Sequence, residues 1–81
     1  MISEMVVLLW LEDERNKTDE FFTVTTIASS LTGEDYGETI SARPDVIKAV
    51  KKLTKLGAIE ERIDGKFRSG TKFRSYRAKR G

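Results

Sequence analysis

The residues from Ser41 to Gly57 contain a helix start, a helix stop and an apolar stripe, so the rest of the chain must supply what that helix packs against. Pro44 has its φ preset for a first helical turn, where its missing N–H breaks no bond. Gly57 is the residue type that most easily takes the left-handed conformation just past a helix C-terminus. The expected helix therefore covers 44–56. Val46, Ala49, Val50, Leu53 and Leu56 recur at three- and four-residue spacing and form one buried stripe. Lys48, Lys51, Lys52 and Lys55 point away from it, and Ile47 stands apolar among them.

A chain of 81 residues has room for one domain, 1–81, and buries only roughly 60% of the surface it exposes when unfolded. It has no cysteine and no histidine. Those absences remove disulfides, the usual zinc sites and the serine–histidine and cysteine–histidine nucleophiles. Glu12-Asp13-Glu14 and Glu34-Asp35 do not arrange six oxygens around a divalent ion and read as surface charge. Gly65 to Lys72 comes near a phosphate-binding loop but fails it, because Thr71 separates Gly70 from Lys72 and the segment leads into a strand. No acid, base and nucleophile can be assembled, so the expectation is a protein that is not an enzyme and uses no metal or cofactor.

The net charge of +2 conceals a division along the chain. Residues 1–40 hold 2 basic and 9 acidic side chains, whereas residues 41–81 hold 13 basic and 4 acidic. A fold that keeps the halves on different faces has one strongly positive face, the footprint of a phosphate-backbone partner. The longest apolar run, Met5 to Leu11, is seven residues, against the ~20 needed to span a bilayer. Met1 to Glu4 lacks a basic leader region, so a soluble cytoplasmic protein without a membrane partner is expected.

Residues 2–15 are expected to form a first helix, capped by Ser3 and with Glu4 at the positive end of its dipole. Ile2, Met5, Val6 and Leu9 are assigned to its core face. Val7, Leu8, Trp10 and Leu11 extend the apolar surface beyond that stripe and are the candidate contacts of a symmetric homodimer. Phe21 to Val24 suits a short strand, and Thr25 or Thr26 caps a second helix that ends at Leu31 and buries Ile27, Ala28 and Leu31. Thr32 to Ile40, with two glycines and three carboxylates, reads as a loop that faces away from any phosphate partner. Ala58 to Ile63 reads as a strand, Asp64-Gly65 as a turn, and Phe73 to Lys79 as a returning strand with Tyr76 and Ala78 inward.

Helix, short strand, helix, turn, helix and two-stranded hairpin is an order that resembles winged helix-turn-helix domains. The resemblance is most specific from Pro44 to Arg62. An early valine, Val46, is followed by Leu53, a Leu56-Gly57 stop and the strand Ile59-Glu60-Glu61-Arg62, as in small prokaryotic or viral transcriptional regulators. Tyr76-Arg77-Ala78 is similar to the aromatic and small pair that closes the wing in that family. The connection of roughly nine residues between Leu31 and Ser41 is longer than the family's turn. The implied fold is α+β: three helices, a short strand and a C-terminal two-stranded β-hairpin wing.

The implied function is double-stranded DNA binding by a transcriptional regulator, with helix 44–56 in the major groove and the basic wing 64–74 on phosphate or in the minor groove. On the helix, Arg43 and Lys48 are candidates to donate to guanine, Asp45 to accept from cytosine and Ile47 to pack on a thymine methyl. Lys51 joins them, and Lys52 and Lys55 suit phosphate. On the wing the candidates are Lys66, Arg68, Lys72 and Arg74. Phe67 and Phe73 are expected to cover the edge of the core, with stacking on unpaired bases as the alternative. Two other readings stay open: a protein–protein interaction module, and RNA or single-strand binding through the wing.

Overall fold

A computed structural model describes residues 2–80 as an α+β fold of three helices and a three-stranded antiparallel sheet. In chain order the elements are α1 (Glu4–Arg15), β1 (Phe22–Thr23), α2 (Val24–Leu31), α3 (Tyr36–Lys55), β2 (Ile59–Lys66) and β3 (Lys72–Ala78). The sheet order is β1-β3-β2, so the C-terminal hairpin takes β1 on its β3 edge, with Phe22 opposite Tyr76. Val7 and Leu11 of α1, Ile27 of α2, Val46, Val50 and Leu53 of α3, and Ile59, Tyr76 and Ala78 of the sheet form the core. Among the described residues no helix is long and apolar enough to cross a membrane.

Helix α1 starts where expected: the Ser3 hydroxyl accepts the Val6 N–H at 3.3 Å. Its buried face is not the expected one. Val7 and Leu11 are fully buried and Ile2, Leu8 and Trp10 are half-buried against the core, while Met5, Val6 and Leu9 are exposed. Seven apolar residues in a row carry no periodicity, so the phase of α1 is set by its neighbours. Trp10 supplies one such contact, edge-on to Phe22 at 5.1 Å. Val7 and Leu11 therefore cannot be dimer contacts, because they lie inside their own fold, and Leu8 and Trp10 are largely covered by it.

The N-cap of α2 is Thr23, whose hydroxyl accepts the Thr26 N–H at 3.2 Å, so Thr25 and Thr26 are helical instead. Ile27 and Ala28 are buried and Leu31 is half-buried.

The main correction concerns the start of α3. Asp35 caps it, accepting the Glu38 N–H at 2.8 Å, and the two carboxylates favour the positive end of the helix dipole. The expected loop 32–40 shrinks to the turn at 32–35, where Gly33 and Glu34 take φ of 70° and 67°. Thr32 donates to the Ala28 carbonyl at 2.8 Å, and its hydroxyl lies 3.0 Å from that of buried Thr39, tying the turn to the helix. Pro44 is thus interior to α3, not its first residue. An interior proline costs about 3 kcal/mol by removing the bond to the carbonyl four residues back, here Ile40. The Asp35 cap and the burial of Thr39 and Ala42 offset part of that cost.

The other end agrees with the sequence except for Leu56, which is the C-cap and exposed. Gly57 has φ 77°, the Ala58 N–H donates to the Leu53 carbonyl at 2.9 Å, and the Gly57 N–H donates to that of Thr54 at 3.0 Å. This is the Schellman closure that a glycine at this position favours.

In the hairpin, Asp64-Gly65 is not the turn. β2 continues through it with a bulge between Ile63 and Gly65, and the chain reverses at Phe67–Thr71. There the Phe67 N–H donates to the Thr71 carbonyl at 2.8 Å and the Gly70 N–H to that of Phe67 at 2.9 Å, with Gly70 at φ 89°. Gly65 instead lies under Phe73: a Cβ there would sit 2.6 Å from Cζ of that ring and would push it aside.

Candidate functional site

At 100° per residue, Arg43, Ile47 and Lys51 fall within about 80° of one another on α3. They face the hairpin across an open groove of about 550 Å3. Val24 and Thr25 from α2 close one end, and Phe67, Lys72, Phe73, Arg74 and Tyr76 form the far wall. The groove thus has an apolar floor and cationic walls. The Tyr76 hydroxyl is pushed up to about 12, chiefly by burial and further by the Glu61 carboxylate, so it stays a neutral donor.

The structure divides the sequence-derived candidates into those on this side and those turned elsewhere. Arg43, Ile47, Lys51, Lys72 and Arg74 line the groove. Lys48 and Lys55 are exposed on α3 at three- and four-residue spacing from Lys51, and so continue its basic strip. Lys66 and Arg68 are exposed at the hairpin tip. Asp45 and Lys52 turn to α1: the Ile2 N–H donates to Asp45 Oδ2 at 3.3 Å, and Lys52 Nζ lies 3.4 Å from Glu4 Oε1. Neither lines the groove.

Charge pairing sharpens the division. Among the described residues, Arg43, Lys48, Lys51, Lys55, Lys66, Arg68 and Lys72 form no ion pair, whereas Arg15, Lys17, Lys52, Arg62, Arg77 and Arg80 all do; Lys79, beside Glu12 and Arg15 at the α1 end, is the exception on that side. Arg74 is intermediate, 3.5 Å from Glu61 and also on the groove wall. The acidic turn is closer to the site than expected. Glu34 shares a second surface pocket with Thr25, Tyr36 and Arg43, so it borders the groove side of the molecule.

Sequence reasoning missed Tyr36, Ile40 and Thr25, which the earlier start of α3 and the N-terminus of α2 place along this side. Asp35 followed three residues later by Glu38 was the available signal, since that spacing is a helix-start pattern. It also misplaced the two phenylalanines. Phe67 and Phe73 do not cover the core edge: they are 58% and 40% exposed and pack on each other at 5.1 Å between ring centroids.

These features are what the chain offers a partner: a rigid helix edge, a hairpin beside it and unneutralised cations on both. No protein-family model matches the chain, and no curated protein or solved structure matches it at a significant level.

Proposed function

We propose that the chain is a winged-helix domain that binds double-stranded DNA as a transcriptional regulator and catalyses no reaction. The single observation that supports this most is that seven cations without an ion pair, Arg43, Lys48, Lys51, Lys55, Lys66, Arg68 and Lys72, lie on α3 and the hairpin, while among the described residues on the α1 side only Lys79 lacks one. A duplex presents a major groove wide enough for a helix, flanked by phosphates that a basic hairpin can reach. In this reading α3 enters the major groove with Lys48 and Lys51 outward and Ile47 beside them. The wing carries Lys66, Arg68 and Lys72 to the backbone. The short turn at 32–35 also supports it, because it removes the long connection that set this chain apart from helix-turn-helix proteins.

The exposed Phe67 and Phe73 favour a second reading, in which the wing stacks on unpaired bases of a single strand. One experiment separates the two: fluorescence anisotropy with random duplex, single-stranded DNA and RNA, each at two salt concentrations. Duplex binding that weakens linearly in log salt is the expected result. Preference for a single strand supports the second reading, and absence of binding to all three overturns both.

A further inference from the structure

The tip of the hairpin is built differently from a simple phosphate clamp. Phe67 is 58% exposed, immediately between Lys66 and Arg68, neither of which has a carboxylate partner among the described residues. Its ring rests on Phe73, a diagonal neighbour across the hairpin, at 5.1 Å and 54°. Phe73 in turn lies close over Gly65, where a Cβ would displace its ring. The Phe67–Thr71 and Gly70–Phe67 backbone bonds hold the residue that carries the outer ring. An apolar ring is thereby held, 58% exposed, where the groove opens at the hairpin tip.

From this arrangement we infer that Phe67 is a wedge: on duplex DNA it enters between two base pairs from the minor groove, partly unstacks them and bends the duplex. The inference rests on the duplex-binding reading above. The neighbouring cations give the occupant its chemistry, since Lys66 and Arg68 flank Phe67 in the chain and Lys72 lies opposite Lys66 across the hairpin, charge suited to the phosphate rims of a groove. Apolar side chains placed this way act by unstacking a step, and the unstacking is cheaper where the stack is already weak. Wild-type protein should therefore bind a duplex with one central mismatch more tightly than the intact duplex.

The test uses the full chain, a duplex carrying donor and acceptor dyes at its ends, the same duplex with a mismatch, and the corresponding single strand. Expected are a rise in energy transfer on binding and several-fold tighter binding to the mismatched duplex. Phe67→Ala should lose both effects while still binding intact duplex, and Phe67→Leu, which keeps an apolar side chain, should retain part of each. Wild-type binding to duplex with unchanged energy transfer and no mismatch preference overturns the wedge and leaves duplex binding standing. Binding tightest to the single strand also overturns it. Absence of duplex binding altogether overturns the reading on which it rests.

Discussion

The basic side chains on the α1 side and those on the α3–hairpin side are of the same two types, yet they serve different ends. On the first side Arg77 donates to Glu60 at 2.8 Å and to the Asp19 carbonyl at 2.6 Å, and its guanidinium lies 4.3 Å from the centre of the Phe21 ring. Arg62 lies 4.5 Å from the same ring, and Arg15 and Arg80 both reach the Asp19 carboxylate. These contacts fasten the segment between α1 and β1 to the sheet. On the second side Arg43, Lys51, Lys66, Arg68 and Lys72 form no ion pair among the described residues, and Arg74 makes one of 3.5 Å to Glu61. A positive charge that already has its carboxylate offers little to a phosphate, so net charge by itself is a poor guide to a binding face; pairing state is a better one.

Reversing charge in the groove should have the largest effect. Lys51→Glu combined with Lys72→Glu places like charges against phosphate, which costs several kcal/mol, so duplex affinity should fall at least about a hundredfold. The melting temperature should stay within a few degrees, because both residues are exposed and unpaired. An anisotropy titration with a thermal melt checks both halves. Smaller and more selective effects are expected on the helix. Ile47→Ala and Lys48→Ala should each cost on the order of 1–3 kcal/mol on a preferred site and much less on random duplex. Competition between the two duplexes measures that difference.

How much of this was legible in the sequence depended on whether a local signal stood alone. The end of α3 was legible because Gly57 serves one purpose, and the basic side chains were legible because charge spacing survives any error in helix start. The start of α3 was not, because two signals competed: Pro44 reads as a first-turn residue, but the Asp35 cap and the packing of Thr39 and Ala42 extend the helix past it. The face of α1 was illegible in principle. Between Met5 and Leu11 every residue is apolar, so only contacts from α3 and β3 choose Val7 and Leu11 over Met5 and Leu9. The exposure of Phe67 and Phe73 follows from a hairpin longer than its first glycine suggested, which carries both rings past the core.

The acidic turn gives a finer contrast within three residues. Asp35→Ala should lower stability by about 1 kcal/mol through loss of the cap, a shift of about 4–8 °C in the melt. Glu34→Gln with Glu38→Gln should shift the melt less than Asp35→Ala does, through the lost interaction of Glu38 with the helix dipole, and raise nonspecific duplex affinity modestly, by relieving long-range repulsion.

The smallest effects concern pH. The chain has no histidine, so duplex binding should be flat between about pH 6 and 8. On the acid side of neutral, stability should fall. Hydrogen bonds from Arg77 and Arg62 hold the Glu60 and Asp64 carboxyls below their ordinary values of 4.5 and 3.8. Their contribution is complete above those values and is lost as pH falls through the lower folded-state ones. A series of melts from neutral to acid pH follows that loss.

The proposed division is between unpaired cations that contact duplex and paired cations that hold the fold. Its most direct measurement is the slope of log affinity against log salt for two sets of single variants: Arg68→Ala and Lys72→Ala on one side, Lys17→Ala and Arg77→Ala on the other. Each of the first pair should lower the magnitude of the slope by roughly one with an unchanged melt, while the second pair should leave the slope as in wild type and Arg77→Ala should lower the melt. Equal slope changes in both sets, or no change in either, would contradict it.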